Sequence, residues 1–211
     1  MVYGGELSTP VDVLIGFAQM LETEVTDARR AAHYLLTQQD YAQDSATLLV
    51  LHSTVVDNYL WGHGAIDLEV AELYPNLFKE LSKLVGHKRG RALTSVRELR
   101  DATVHLEERV ALRFAREKRW ELEHPKEPIA RPTPVKWWDS DGPAPAHAIM
   151  SWNRTSRSLT IDGVAISVVS LQAELDELNE RITETIDRLV MRLFDEWGII
   201  EGGPGLLELK G

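Results

Sequence analysis

Six of the chain's nine prolines fall between His124 and Ala146, at Pro125, Pro128, Pro132, Pro134, Pro143 and Pro145. A proline has no backbone N–H and holds φ near about −65°, so a run of them blocks helix formation. The chain must therefore divide around an irregular connector. The other prolines interrupt little: Pro10 and Pro75 stand at helix starts, and Pro204 lies in the tail. Trp137 and Trp138 sit inside the proline stretch. Two such rings need burial, so the connector is expected to pack on the domain.

Ahead of it, apolar residues recur every three or four positions, the spacing of helices with one inward face. Ser8-Thr9-Pro10 signals a start, and Val13, Leu14, Phe17, Leu21, Val25 and Leu35 carry the pattern onward. A second helix is predicted from about 45 to 63, apolar on more than one side and so near the centre of a bundle. Shorter helices follow over Ala65–Tyr74 and from Pro75 to Gly86, and a long one spans Leu93–Arg119. Beyond the connector, Ala148–Asn153 and Ser158–Ile161 read as strands. Asp162-Gly163 is a hairpin turn leading to a third, Val164–Val168. Leu171–Trp197 returns to helical spacing, and 198–211 reads as a flexible tail.

The expected fold is mainly α: an antiparallel bundle of four to five helices with a small β-hairpin or meander before the last helix. At 211 residues this is one domain, with 123–169 as a connector plus β insertion. No basic-plus-apolar leader is visible at Met1–Glu6, and no apolar run nears the roughly 20 residues that span a bilayer. The expectation is a cytoplasmic protein without a membrane partner. The chain has no cysteine, which excludes disulfides, thiolate metal sites and a cysteine nucleophile. The 33 acidic residues against 23 lysines and arginines give a net charge of −10. That argues against a protein that coats nucleic acid, though not against a local basic site.

Such a site is suggested on the long helix. Set around it at about 100° per residue, Val96, Leu99, Leu106, Val110 and Phe114 fall on one side. Arg97, Asp101 and His105 fall on or near the other, with Arg100 at the flank. Asp101 and His105 are spaced i, i+4, so a carboxylate can orient an imidazole, while Arg100 reaches the same region. Arginine, histidine and acid together suit the handling of a phosphate. His87-Lys88-Arg89-Gly90-Arg91, just before the helix, adds Lys88, Arg89 and Arg91 as candidate phosphate contacts, with Arg97 beside them. Val104 and Leu112, away from the core side, are candidates for contact with a second copy. His33, His52 and His63 lie on different segments without ligand spacing, so no metal or other cofactor is expected.

Arg100-Asp101-Ala102-Thr103-Val104-His105 resembles the signature of the HEPN superfamily, an arginine followed after four to six residues by a histidine. The resemblance covers about 10–122 and 170–197 and implies a helical bundle carrying the motif on a late helix. It further implies a metal-independent endoribonuclease of toxin or defence type, working as a homodimer, with an antitoxin or other protein as a further partner. Arg100, His105 and Asp101 would be the catalytic residues and RNA the substrate. HEPN domains that lack catalysis imply the alternative, a helical domain that binds a protein or RNA.

Overall fold

The computed structural model describes residues 7–38, 40–61, 68–104, 106–124, 135–145, 147–197, 200–202 and 206–208. It describes backbone alone at 68, 69, 71, 101–104, 106–110, 113, 114, 117, 121, 200–202 and 206–208. The chain is mainly helical: α1 (Val11–Thr37), α2 (Ala42–Trp61), α3 (Leu68–Leu73), α4 (Leu77–Val85), α5 (Arg91–Val104), α6 (Leu106–Glu123) and α7 (Val168–Glu196). Strands β1 (Val135–Ser140), β2 (Ala148–Asn153), β3 (Ser158–Ile161) and β4 (Val164–Ser167) form a mixed sheet in that order and precede α7 in the chain. In the tail, β5 (Ile200–Gly202) pairs antiparallel with β6 (Leu206–Glu208). The helix expected over Leu93–Arg119 is thus represented by α5 and α6, on either side of residue 105, which lies outside the described residues. No described helix is long and apolar enough to cross a membrane.

The chain divides into two compact units. The first comprises Met1–Thr26, Val55–Arg89 and Asp176–Gly211. On α4 the spacing of Leu77, Leu81 and Val85 puts all three on one buried side. Leu77 joins Val11 and Leu14 of α1 and Leu189 of α7 in the core. Phe78 meets Phe17 and Tyr59 edge-on, with ring centroids 5.8 and 5.7 Å away, the offset geometry aromatic quadrupoles favour. Burial, with the Glu24 charge as a smaller cause, raises the Tyr59 hydroxyl above its ordinary range. Arg188 on α7 donates to the carbonyl of Leu84 at 3.0 Å, a cation at the negative end of α4.

The start of α1 is held from α4. Glu80 accepts hydrogen bonds from the Ser8 and Thr9 backbone N–H groups at 2.9 and 3.1 Å and from Ser8 Oγ at 2.8 Å. Burial pushes the Glu80 carboxyl up, but the bonds from Thr9 and Ser8 outweigh it and leave it below the usual range. A carboxyl lowered by folding stabilises the fold above its unfolded pKa and loses that contribution as pH falls through the folded one. Glu80→Gln should therefore reduce the acid sensitivity of the urea midpoint below about pH 5. The effect should stay under about 1 kcal/mol, because the group is largely solvated.

The second unit comprises Asp27–Thr54 and Gly90–Leu175. Its β3–β4 turn has Asp162 at φ 48° and Gly163 at φ 87°. Two positive φ values in a two-residue loop are the mirror-image turn an Asp-Gly pair favours, because its twist matches the flanking strands. β2 is central, with Ile149, Met150, Ser151 and Trp152 all buried. β1 corrects the expectation of an irregular connector. It lies parallel to β2, pairing Val135 with Ala148 through to Ser140 with Asn153. Its position at the sheet edge explains how a strand fits between prolines, since only one side of it joins the ladder. Trp137 is half-buried, whereas Trp138 is exposed and donates from Nε1 to Ser140 Oγ at 3.0 Å. α5 runs along β4 and β3, and Leu93, Val96 and Leu99 form its buried side.

Candidate functional site

α5 carries Arg91, Arg97, Arg100 and Asp101 of the sequence-predicted site, so its placement decides what those residues can do. Its N-terminus is fixed by Glu174 of α7. Oε1 accepts the Ala92 N–H and Oε2 the Leu93 N–H, each at 3.0 Å. A helix N-terminus has unpaired donors and a partial positive charge, so a carboxylate suits it. Gly90 makes the approach possible, because a Cβ there would collide with the Glu174 carboxyl group. The anion position at the head of α5 is therefore filled from within the chain.

The predicted cations of α5 are spread around its axis. Arg91, Arg97 and Arg100 are exposed. Arg97 and Arg100 are three residues apart, which on a helix puts their Cβ atoms about 5–6 Å from each other. Arg91 is half a turn away from Arg100 around the axis. Arg100 has an interaction of its own within the chain. The side chains of Asp101 and Val104 and the whole of His105 lie outside the described residues. On α6, Arg116, Lys118 and Arg119 are exposed, as is Leu112, a residue predicted for contact with a second copy.

The basic loop ahead of α5 splits by role. Lys88 is exposed, as predicted for a phosphate contact. Arg89 is otherwise engaged: its Nη2 donates to Asp57 Oδ2 on α2 at 2.7 Å, with the aspartate side chain only 2% exposed. A buried carboxylate needs a paired cation, and the loop supplies it, so Arg89 serves the first unit's interior. His87 is also turned inward, with its ring 6.2 Å from Trp61 and Nδ1 3.6 Å from Glu177. His87 Nε2 and Arg89 Nε are buried and make no hydrogen bond among the described residues.

Sequence reading passed over Asp57 and Glu174. Asp57 offered a signal, an acid in the apolar run Val55–Leu60. Glu174 offered none, since its role depends on a glycine more than 80 residues earlier. Also unforeseen is a cleft of about 160 Å³ in the second unit, where the end of α1 meets Asp139, Trp152, Arg154 and Arg157. Arg154 grips Asp139 with two bonds, of 2.8 and 3.0 Å. That pairing, first through the hydrogen bond itself, raises the guanidinium above its ordinary value. Among the described residues no cluster of three or more His, Asp or Glu side chains is placed to hold a metal; His33 is exposed and His52 half-buried. His63 lies outside them.

Comparison with protein-family models, with curated proteins and with solved structures finds no match to this chain.

Proposed function

We propose that the chain is a HEPN-like, metal-independent endoribonuclease of toxin or defence type, active as a cytoplasmic homodimer. In this reading the helices form an antiparallel bundle, with α5 and α6 bearing the Arg100–His105 motif and α7 closing it. The supporting observation is the exposure of Arg97 and Arg100 one turn apart on a helix of an otherwise acidic molecule.

RNA brings its own nucleophile. The 2′-hydroxyl attacks the adjacent phosphorus, the P–O2′ bond forms and the P–O5′ bond breaks, leaving a 2′,3′-cyclic phosphate and a 5′-hydroxyl. One His105 removes the 2′-hydroxyl proton, and the protonated ring of His105 of the partner subunit delivers a proton to the departing 5′-oxygen. Asp101 orients the imidazole. Arg100 binds the non-bridging oxygens, where negative charge grows in the transition state. Arg97, Lys88 and Arg91 hold neighbouring phosphates; Arg89, tied to Asp57, is not counted among them.

Purified protein is expected to cleave single-stranded RNA in EDTA and to leave cyclic phosphate ends. Arg100→Ala and His105→Ala should each lower the rate by about 10²-fold or more, while the protein stays folded. Cleavage that survives both substitutions would refute the site. The alternative, a non-catalytic domain that binds RNA or an antitoxin-like protein, is favoured by the in-chain use of Arg89 and by Glu174 at the head of α5. Its outcome is RNA retention that weakens with salt, without cleavage, and that is lost in Arg97→Ala.

A further inference from the structure

The loop between β2 and β3 holds a charge that the fold does not use. Arg157 has φ 51°. Long side chains rarely take that left-handed conformation, which glycine, asparagine and aspartate tolerate better. The backbone there has a purpose, since the Arg157 carbonyl accepts the Val168 N–H at the start of α7 at 3.0 Å. Glycine would serve that bond with less strain. The arginine side chain is exposed and makes no hydrogen bond or ion pair among the described residues. It lines the cleft of about 160 Å³ that Trp152 and the end of α1 also line. Strained residues of this kind cluster where a protein clamps a ligand.

We propose that this cleft binds a small free α-amino acid, with its carboxylate on Arg157 and its ammonium group on the end of α1. The guanidinium fork matches a carboxylate and can hold both of its oxygens. The C-terminus of α1 supplies the opposite sign. The Tyr34 carbonyl accepts the Gln38 N–H at 2.7 Å. Those of Leu35, Leu36 and Thr37 have no partner within the helix. α1 has no basic residue in its last turn, so no side chain of that turn offsets its negative end. Asp139 adds no uncompensated charge, because Arg154 holds it with two bonds. Buried Trp152 supplies an apolar wall for a short side chain. A lone anion would meet the helix carbonyls, and a lone cation would meet Arg157. A zwitterion satisfies both. A peptide end carries only one of the two charges, which singles out the free amino acid.

The volume agrees. A cavity of about 150 Å³ accommodates benzene, so this cleft suits a molecule of about six to eight non-hydrogen atoms. Alanine and serine are of that size. The inference does not rest on the ribonuclease reading, since none of the lining residues belongs to the Arg100–His105 motif.

Titration calorimetry with L-alanine and L-serine is expected to show saturable binding, with a dissociation constant of about 1 mM or tighter. Acetate and methylamine, each with one of the two charges, should bind at least about 10-fold more weakly. Arg157→Gly should abolish the alanine signal while the unfolding midpoint without ligand holds or rises, because glycine relieves the backbone. Arg157→Lys keeps the charge without the fork and should weaken alanine binding by about 10-fold. The absence of binding by both amino acids overturns the proposal, as does binding that Arg157→Gly leaves intact. So does acetate binding as tightly as alanine, which would make the cleft a simple anion site.

Discussion

Gly90→Ala should destabilise the protein by about 2–4 kcal/mol, more than a surface glycine-to-alanine change normally does. The added methyl group would occupy the space of the Glu174 carboxyl group. Either the glutamate withdraws and leaves the Ala92 and Leu93 N–H groups without their acceptor, or the head of α5 shifts. A double-mutant cycle separates this from an intrinsic backbone effect. Glu174→Ala removes the obstacle along with the cap, so adding Gly90→Ala to it should cost little further. Denaturant midpoints of the four proteins supply the test. Additive losses would mean that the steric conflict is not the cause.

Arg89→Ala is expected to cost about 3–5 kcal/mol, the range for breaking a buried ion pair from one side. Asp57→Ala should cost less. The asymmetry follows from burial: the arginine side chain is 29% exposed and can turn toward water, whereas the aspartate side chain is 2% exposed and cannot. Arg89→Lys keeps a cation on a slimmer stem and should recover part of the loss. Urea midpoints of wild type and both variants make the comparison. Equal losses in Arg89→Ala and Arg89→Lys would show that the packing and geometry of the guanidinium, and not its charge, carry the contribution.

The elements with strong local periodicity were legible in the sequence. Leu77, Leu81 and Val85 announce α4 by their spacing alone, and Asp162-Gly163 announces the β3–β4 turn, because both are determined by residues a few positions apart. β1 was not legible. Its pairing is chosen by β2, and the flanking prolines hide a strand that needs hydrogen bonds on one side only. For the site, the solvent-facing placement of Arg97, Arg100, Lys88 and Arg91 could be read from the sequence. The engagement of Arg89 could not, because the basic loop looks uniform in composition and only the buried Asp57, 32 residues earlier, distinguishes one arginine from the next. His105, on which the catalytic reading turns, lies outside the described residues.

The parallel pairing of β1 with β2 has a consequence for chain length. Parallel neighbours usually need a long crossover. Here 141–147 alone return the chain from Ser140 to Ala148, back along the strand and one strand sideways. That journey is about 17 Å, and the segment fully stretched reaches about 26 Å. Removing three residues would leave about 17 Å of reach, with nothing over for the reversals at either end. Insertions here would simply slacken the return path, while deletions of that size would detach the edge strand and its paired tryptophans. The segment acts as a tether with a minimum length.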